Sequence, residues 1–161
     1  AGNITAYWNG FKQYQRLGRS TITPKMMGFQ SAGAAPIVKG YPIKDPKTVA
    51  SAIKIGRPAN WEGAIIARDE SGGSIEAVSD EAIMNAYRGM AFHEGIFCEP
   101  SSAAAVAGVM EMKDNGWDLR DQRIVCVITG SGLKDIDAVS RDLTDNVIRV
   151  PARLKDIEAE L

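Results

Sequence analysis

The sequence predicts a layered α/β protein built on a mostly parallel sheet, and three observations lead there. Apolar runs at helical spacing alternate along the chain with short apolar segments of strand length. One of those segments, residues 124–129, has no polar residue at alternate positions, the habit of a strand buried on both faces. Small-residue and glycine turns follow the strand segments, at 31–36 and at Gly130-Ser131-Gly132.

The elements follow in order. Tyr7, Trp8, Phe11, Tyr14 and Leu17 recur at helical spacing between Asn3 and Gly18. An asparagine side chain can accept from first-turn amides, and glycine tolerates the left-handed backbone that ends a helix. A helix of about four turns is therefore expected, with Asn3 as its N-cap. Its aromatic stripe reads as core or subunit interface. Residues 25–30, bounded by Pro24, are expected to form a buried strand running into a tight turn at 31–36. Asp45-Pro46 is a plausible cap and first position for a helix ending near Gly56. A second short helix is expected from about Trp61 to just before Ser71-Gly72-Gly73.

Residues 74–78 alternate as a short strand. Ser79 then caps a helix whose dipole suits Asp80 and Glu81, with Ile83, Tyr87, Met90 and Ala91 on one face. After Gly95, Pro100-Ser101-Ser102 leads into 103–110, apolar on every side as in a helix packed inside a layered domain, and Gly116 ends it. Residues 152–161 suggest a last helix. Three or four strands are few for an independent doubly wound sheet. A missing remainder would account for that, and an opening on a helix start without Met also hints at a fragment, although removal of an initiator Met explains the missing residue equally well.

Bulk composition narrows the function classes. A chain of 161 residues, 45% hydrophobic and 24% charged, can build a real core. Lys and Arg total 19 against 20 Asp and Glu, and the two signs are interleaved, which argues against nucleic acid or an anionic membrane as partner. Cys98 and Cys126 each sit in an apolar run, which suits a reducing cytoplasm better than a disulfide scaffold. No apolar stretch approaches the ~20 residues of a membrane span.

Two segments could carry chemistry. Ala1, Gly2 and Asn3 are small residues at a helix start, where bare amides and the helix dipole favour a phosphate; an ordinary capped helix is the plain alternative. Thr129 stands at the carboxyl end of the 124–129 segment, where ligands of open α/β sheets bind, and Gly130 and Gly132 would let a flat ring or a phosphate approach the backbone. Lys134 beside Asp135 reads as solvated or ion-paired rather than as a desolvated catalytic amine. His93, the only histidine, does not make a metal set with Glu94, Cys98 and Glu99, so no metal is expected. Glu99, next to a helix start, reads as an acceptor for backbone amides or a neighbouring side chain.

Several segments together carry a resemblance. These are Ala1-Gly-Asn-Ile-Thr-Ala-Tyr-Trp8, Gly28-Phe-Gln-Ser-Ala-Gly-Ala-Ala-Pro36, Ala52-Ile-Lys-Ile-Gly56, Glu94-Gly-Ile-Phe-Cys-Glu-Pro-Ser-Ser-Ala-Ala104 and Thr129-Gly-Ser-Gly-Leu-Lys-Asp135. In order and interval they resemble bacterial-type threonine synthases, across essentially the whole chain. The resemblance implies that residues 1–161 are the C-terminal part of the large domain of a tryptophan-synthase-like, type II pyridoxal-phosphate fold. In that family a Gly-Asn-Ala-Gly-Asn loop cradles the cofactor phosphate, and Ala1, Gly2 and Asn3 match its last three residues. Thr129 matches the threonine that hydrogen-bonds the pyridine nitrogen. Ser131 departs from the His or Asn common there.

The implied reaction turns O-phospho-L-homoserine and water into L-threonine and phosphate. The family's Schiff-base lysine and much of its substrate-phosphate site lie upstream of this chain, so no catalytic residue is expected within it and the piece is expected to be inactive alone. A cytoplasmic homodimer that includes the missing N-terminal half is the implied assembly. A related threonine or serine dehydratase is the nearest rival, and a cofactor-free interaction module is the reading from another class.

Overall fold

The computed structural model describes residues 1–138, 140 and 148–159. Helix α1 (Gly2–Arg16) is followed by strand β1 (Met27–Ser31), a 3₁₀ turn at Ala32–Ala34 and the single-turn α2 (Pro36–Lys39). Then come α3 (Trp61–Ser71), β2 (Ser74–Val78), α4 (Asp80–Glu94), α5 (Pro100–Asp114) and, near the end, α6 (Leu154–Glu158). The sheet consists of β1 and β2, paired in parallel from Met27 opposite Ser74 to Ser31 opposite Val78. Alternating helices and a parallel pair give the α/β layering that the sequence predicts.

Several local expectations are met for the stated reasons. Ser79 caps α4, its hydroxyl accepting from the Ala82 amide at 3.0 Å. Helices α1 and α5 both close on a left-handed glycine. Gly18 donates to Gln15 and Arg19 to Tyr14, and Gly116 donates to Lys113 and Trp117 to Met112. These paired bonds satisfy the last carbonyls of each helix.

Three expectations are corrected. Asn3 is not the cap of α1, which starts one residue earlier, at Gly2, with Ala1 in the cap position and no side-chain acceptor. The helix expected from Asp45 to Gly56 reduces to a 3₁₀ turn at Ser51–Ile53. Its amides have other partners: Lys47 donates to the Gly33 carbonyl, Val49 to the Asp80 carboxylate and Ala50 to the Thr48 hydroxyl. An amide held by a distant or side-chain acceptor cannot also close a helical ring, so the segment does not form the expected helix.

Residues 124–129 are not a doubly buried strand. No strand is present there; Val125 is 79% exposed, and Ile124, Val127 and Ile128 are also on the surface. A strand exists only where a ladder partner takes its amides, and among the described residues β1 and β2 pair only with each other.

The core lies between the sheet and the α4/α5 pair. Val78, Ile83, Ala86, Tyr87, Met90, Cys98, Ala103, Ala104 and Ala107 are buried, with Phe29 and Val106 packed against them. Small residues let α5 approach closely, since its buried face is Pro100, Ser102, Ala103, Ala104, Ala107 and Gly108. Met110, on the opposite side, is half exposed, so α5 is covered on one face rather than all round. Of the α1 aromatic stripe only Trp8 is buried; Tyr7, Phe11 and Tyr14 stay exposed. Among the described residues no helix is long and apolar enough to cross a membrane.

Candidate cofactor site

A network of hydrogen bonds joins the start of α5 to residues 129–132. Glu99 precedes α5 and is 7% exposed, and Ser102 in the first turn is 2% exposed. The Ser102 hydroxyl oxygen accepts from the Thr129 and Gly130 amides at 3.0 Å each, and lies 2.9 Å from the Thr129 hydroxyl. The Thr129 hydroxyl in turn stands 3.3 Å from a Glu99 carboxylate oxygen. Backbone bonds seal the pair of segments: the Glu99 amide donates to the Gly130 carbonyl and the Gly132 amide to that of Phe97, with Cys98 and Ser131 bridging antiparallel.

The glycines of this turn are required by close approach. A β-carbon on Gly130 would overlap the Glu99 carboxylate, and one on Gly132 would overlap the Phe97 ring. The sequence suggested that these glycines admit a ligand; what approaches them is the chain's own Glu99 and Phe97. Ser101, next to Ser102, has a buried hydroxyl with no hydrogen-bond partner among the described residues.

The second element is the start of α1. Its first turn has no side-chain cap and no acidic residue, and the Thr5 hydroxyl donates to the Ala1 carbonyl at 3.0 Å. Space around Gly2 is open. First-turn amides are left without helical partners, and the dipole places positive potential there, so the end suits an anion. A side chain places it: the Ile4 Cδ1 atom would lie 3.5 Å from a β-carbon on Gly28 of β1, in ordinary packing contact. Among the described residues no hydrogen bond links the Ala1–Asn3 end directly to the Thr129 cluster.

Other candidates fall away from both. Lys134 is exposed, and Asp135 accepts from the Ser51 hydroxyl at 2.6 Å rather than from Lys134. His93 is exposed and stacks edge-on against Phe92. Among the described residues no group of His, Cys, Asp and Glu could hold a metal. Burial, and then the neighbouring Glu99 carboxylate, push the Cys98 thiol above its ordinary pKa; burial does the same to Cys126. Both thiols therefore stay protonated and weakly nucleophilic.

Sequence reasoning singled out Thr129 and treated Glu99 as an acceptor, but it missed Ser102. Its only visible signal was a hydroxyl at a helix start. Sequence reasoning also gave Asp80 only a dipole role, whereas its carboxylate accepts from the Ser31 and Thr48 hydroxyls at 2.8 and 2.6 Å and from the Val49 amide at 2.9 Å. That set pins the turn after β1.

The geometry can be set beside known proteins. Residues 1–130 match the family model of pyridoxal-phosphate dependent enzymes. The chain is 51% identical over 147 residues to a threonine synthase of Synechocystis sp., covering 91% of this chain and 38% of that protein. It is 49% identical over 143 residues to a threonine synthase of Mycobacterium bovis, covering 89% and 40%. A threonine synthase of Bacillus sp. is 44% identical over 158 residues, covering 98% and 44%. The chain thus spans well under half the length of these relatives.

Among solved structures it resembles maize serine racemase, with a TM-score of 0.59 at 15% identity over 87% of this chain and 44% of that one. It also resembles a fungal L-serine ammonia-lyase from Rhizomucor miehei, with a TM-score of 0.55 at 13% identity over 86% and 56%. At such identities the likeness speaks for the fold alone. On its sequence and its fold together, the chain belongs to the family of pyridoxal-phosphate-dependent enzymes.

Proposed function

We propose that this chain is the C-terminal part of the cofactor-binding domain of a threonine synthase, which converts O-phospho-L-homoserine and water to L-threonine and phosphate. The observation that carries the substrate is the 51% identity to a threonine synthase over 91% of the chain. The likeness to serine racemase and to an L-serine ammonia-lyase, at 13–15% identity, does not compete with it.

The residues present fit pyridoxal phosphate. Uncapped amides at Gly2 and Asn3, free of acidic neighbours, suit the phosphate, and Ala1 leaves their approach clear. The Thr129 hydroxyl suits the pyridine nitrogen. When bound, the cofactor supplies an electron sink for charge developing at the substrate's α and β carbons. A neutral hydroxyl at the ring nitrogen, in place of a carboxylate, leaves that nitrogen less firmly protonated and moderates the sink. The Asp80 contacts to Ser31, Thr48 and Val49 hold the 31–36 turn at the end of β1.

In this reading the lysine that carries the cofactor and the rest of the substrate-phosphate site lie outside residues 1–161, and the working form is a homodimer. Two unpaired, protonated thiols agree with a cytoplasmic setting.

The test uses the complete gene product carrying this sequence. It should release phosphate and threonine from O-phospho-L-homoserine and should not deaminate L-threonine or L-serine. Deamination without phosphate release would assign a dehydratase instead. The 161-residue chain alone, treated with pyridoxal phosphate and borohydride, should acquire no adduct on a defined lysine, and an adduct there would contradict the location of the missing amine.

A further inference from the structure

Glu99 occupies the cap position of α5 and does not cap it: its side chain accepts from none of the first-turn amides. The carboxylate turns instead toward residues 129–132. It lies against Gly130, where any β-carbon would overlap it, and one oxygen accepts from the Thr129 hydroxyl at 3.3 Å. That is its one side-chain hydrogen bond among the described residues, although Glu99 is only 7% exposed. A buried anion with a single long bond favours a positive neighbour, because burial of a charge without pairing is costly. Burial first, and then this same carboxylate, keep the proton on the adjacent Cys98 thiol.

The bonds around Thr129 leave one place for a ligand. A hydroxyl has one proton and two lone pairs. The Ser102 oxygen accepts from the Thr129 and Gly130 amides, which fills both of its lone pairs, so its proton points at the Thr129 oxygen 2.9 Å away. With the Thr129 proton on Glu99, one lone pair of Thr129 stays open, and a lone pair only accepts. From this arrangement we infer that Glu99 is a positioning residue that, through Thr129, favours the protonated form of the bound cofactor's ring nitrogen. The inference rests on the proposed contact between Thr129 and that ring. An unprotonated ring nitrogen would have to draw the Thr129 proton off Glu99 and strand the buried charge. The 3.3 Å bond is weak in itself. The charge behind it carries the effect, because a nearby anion favours the cationic form of a group. A hydroxyl alone would hold the ring proton loosely, and the carboxylate behind it firms that hold.

The test compares wild type, Glu99→Gln, Glu99→Asp and Thr129→Val in the complete gene product loaded with ¹⁵N-labelled pyridoxal phosphate. The readout is the ¹⁵N chemical shift of the ring nitrogen, followed from neutral pH into the alkaline range, which separates protonated from unprotonated rings. Wild type should show the protonated value near neutral pH. Glu99→Gln keeps the shape and removes the charge, and should lower the ratio of protonated to unprotonated ring about tenfold at a given pH. Glu99→Asp keeps the charge, drawn back by one methylene, and should move the shift less than Glu99→Gln does.

An unprotonated ring in wild type overturns the inference, and that measurement does not depend on any variant folding. A ring that Glu99→Gln leaves unchanged while Thr129→Val alters it also overturns the inference, with the cofactor contact intact. If Thr129→Val itself leaves the shift unchanged, the contact between Thr129 and the ring is wrong, and the inference fails with it. Phosphate release from O-phospho-L-homoserine by wild type is measured alongside, and its absence would count against the proposed reaction alone.

Discussion

The ring of Phe29, in β1, occupies the space that a side chain on Gly108 of α5 would need. This contact sets how closely α5 lies on the sheet, and it decides between two opposed effects of one substitution. Gly108→Ala should gain about 1 kcal/mol from helix preference, because alanine loses less backbone freedom. The new methyl would overlap the inner atoms of a ring already packed against the core, and overpacking of this kind costs about 1–3 kcal/mol. The clash wins, so Gly108→Ala lowers the melting temperature. Gly89, inside α4 with nothing within reach of an added methyl, is the control. Gly89→Ala should stabilise by about 0.5–1 kcal/mol. Calorimetry of the two variants checks both signs.

Acid should loosen the clasp between α1 and α3. One Glu70 carboxylate oxygen accepts from the indole nitrogen of buried Trp8 and from the Lys12 ammonium, each at 2.6 Å. The Lys12 bond first, and the Trp8 bond second, hold the Glu70 carboxyl below its ordinary pKa. A carboxyl with a lower pKa folded than unfolded stabilises fully above the unfolded value, and this contribution disappears as pH falls through the folded value. Between roughly pH 6 and pH 3 the wild-type protein should therefore lose more stability than Glu70→Gln, whose amide does not titrate. Chemical denaturation followed by far-ultraviolet circular dichroism at each pH reads the difference. Parallel pH curves for the two proteins would show that the clasp does not titrate.

Asp80 links three separate segments, and its loss should be felt away from its own helix. Asp80→Ala removes the acceptor of the Ser31 and Thr48 hydroxyls and of the Val49 amide. Leaving such donors unpaired costs about 1–3 kcal/mol. Amide exchange at Val49 should accelerate, while the Ala82 amide, held by the Ser79 cap, keeps its protection. Equal acceleration at both positions would mean that Asp80 supports the start of α4 rather than the turn after β1.

Much of this architecture was legible in the chain because its causes are local. Ser79 caps α4 through its own side chain, and Gly18 and Gly116 end α1 and α5 because only a left-handed residue closes those last carbonyls. The alternation over 74–78 became β2 as read. The expected helix after Asp45-Pro46 failed for a non-local reason: Asp80 and Gly33 take the amides it would have used. The 124–129 segment failed in the converse way. Its apolar composition suits a central strand, but composition supplies no ladder partner, and its side chains remain exposed. The last expected helix, at 152–161, is present as α6 over Leu154–Glu158, and residues 160 and 161 lie outside those described.

The sequence by itself determined the α/β class, the order of most elements, the Thr129 turn and the resemblance to threonine synthases, because periodicity, capping and short motifs are properties of neighbouring residues. Only the tertiary structure decided that Ser102, 27 positions before Thr129, meets its amide and its hydroxyl, that the Glu99 carboxylate lies beside that hydroxyl, and that Gly130 and Gly132 make room for the chain's own side chains. Hydrogen bonds between distant segments depend on how the helices pack on the sheet, and that packing is a property of the whole fold rather than of any stretch of it.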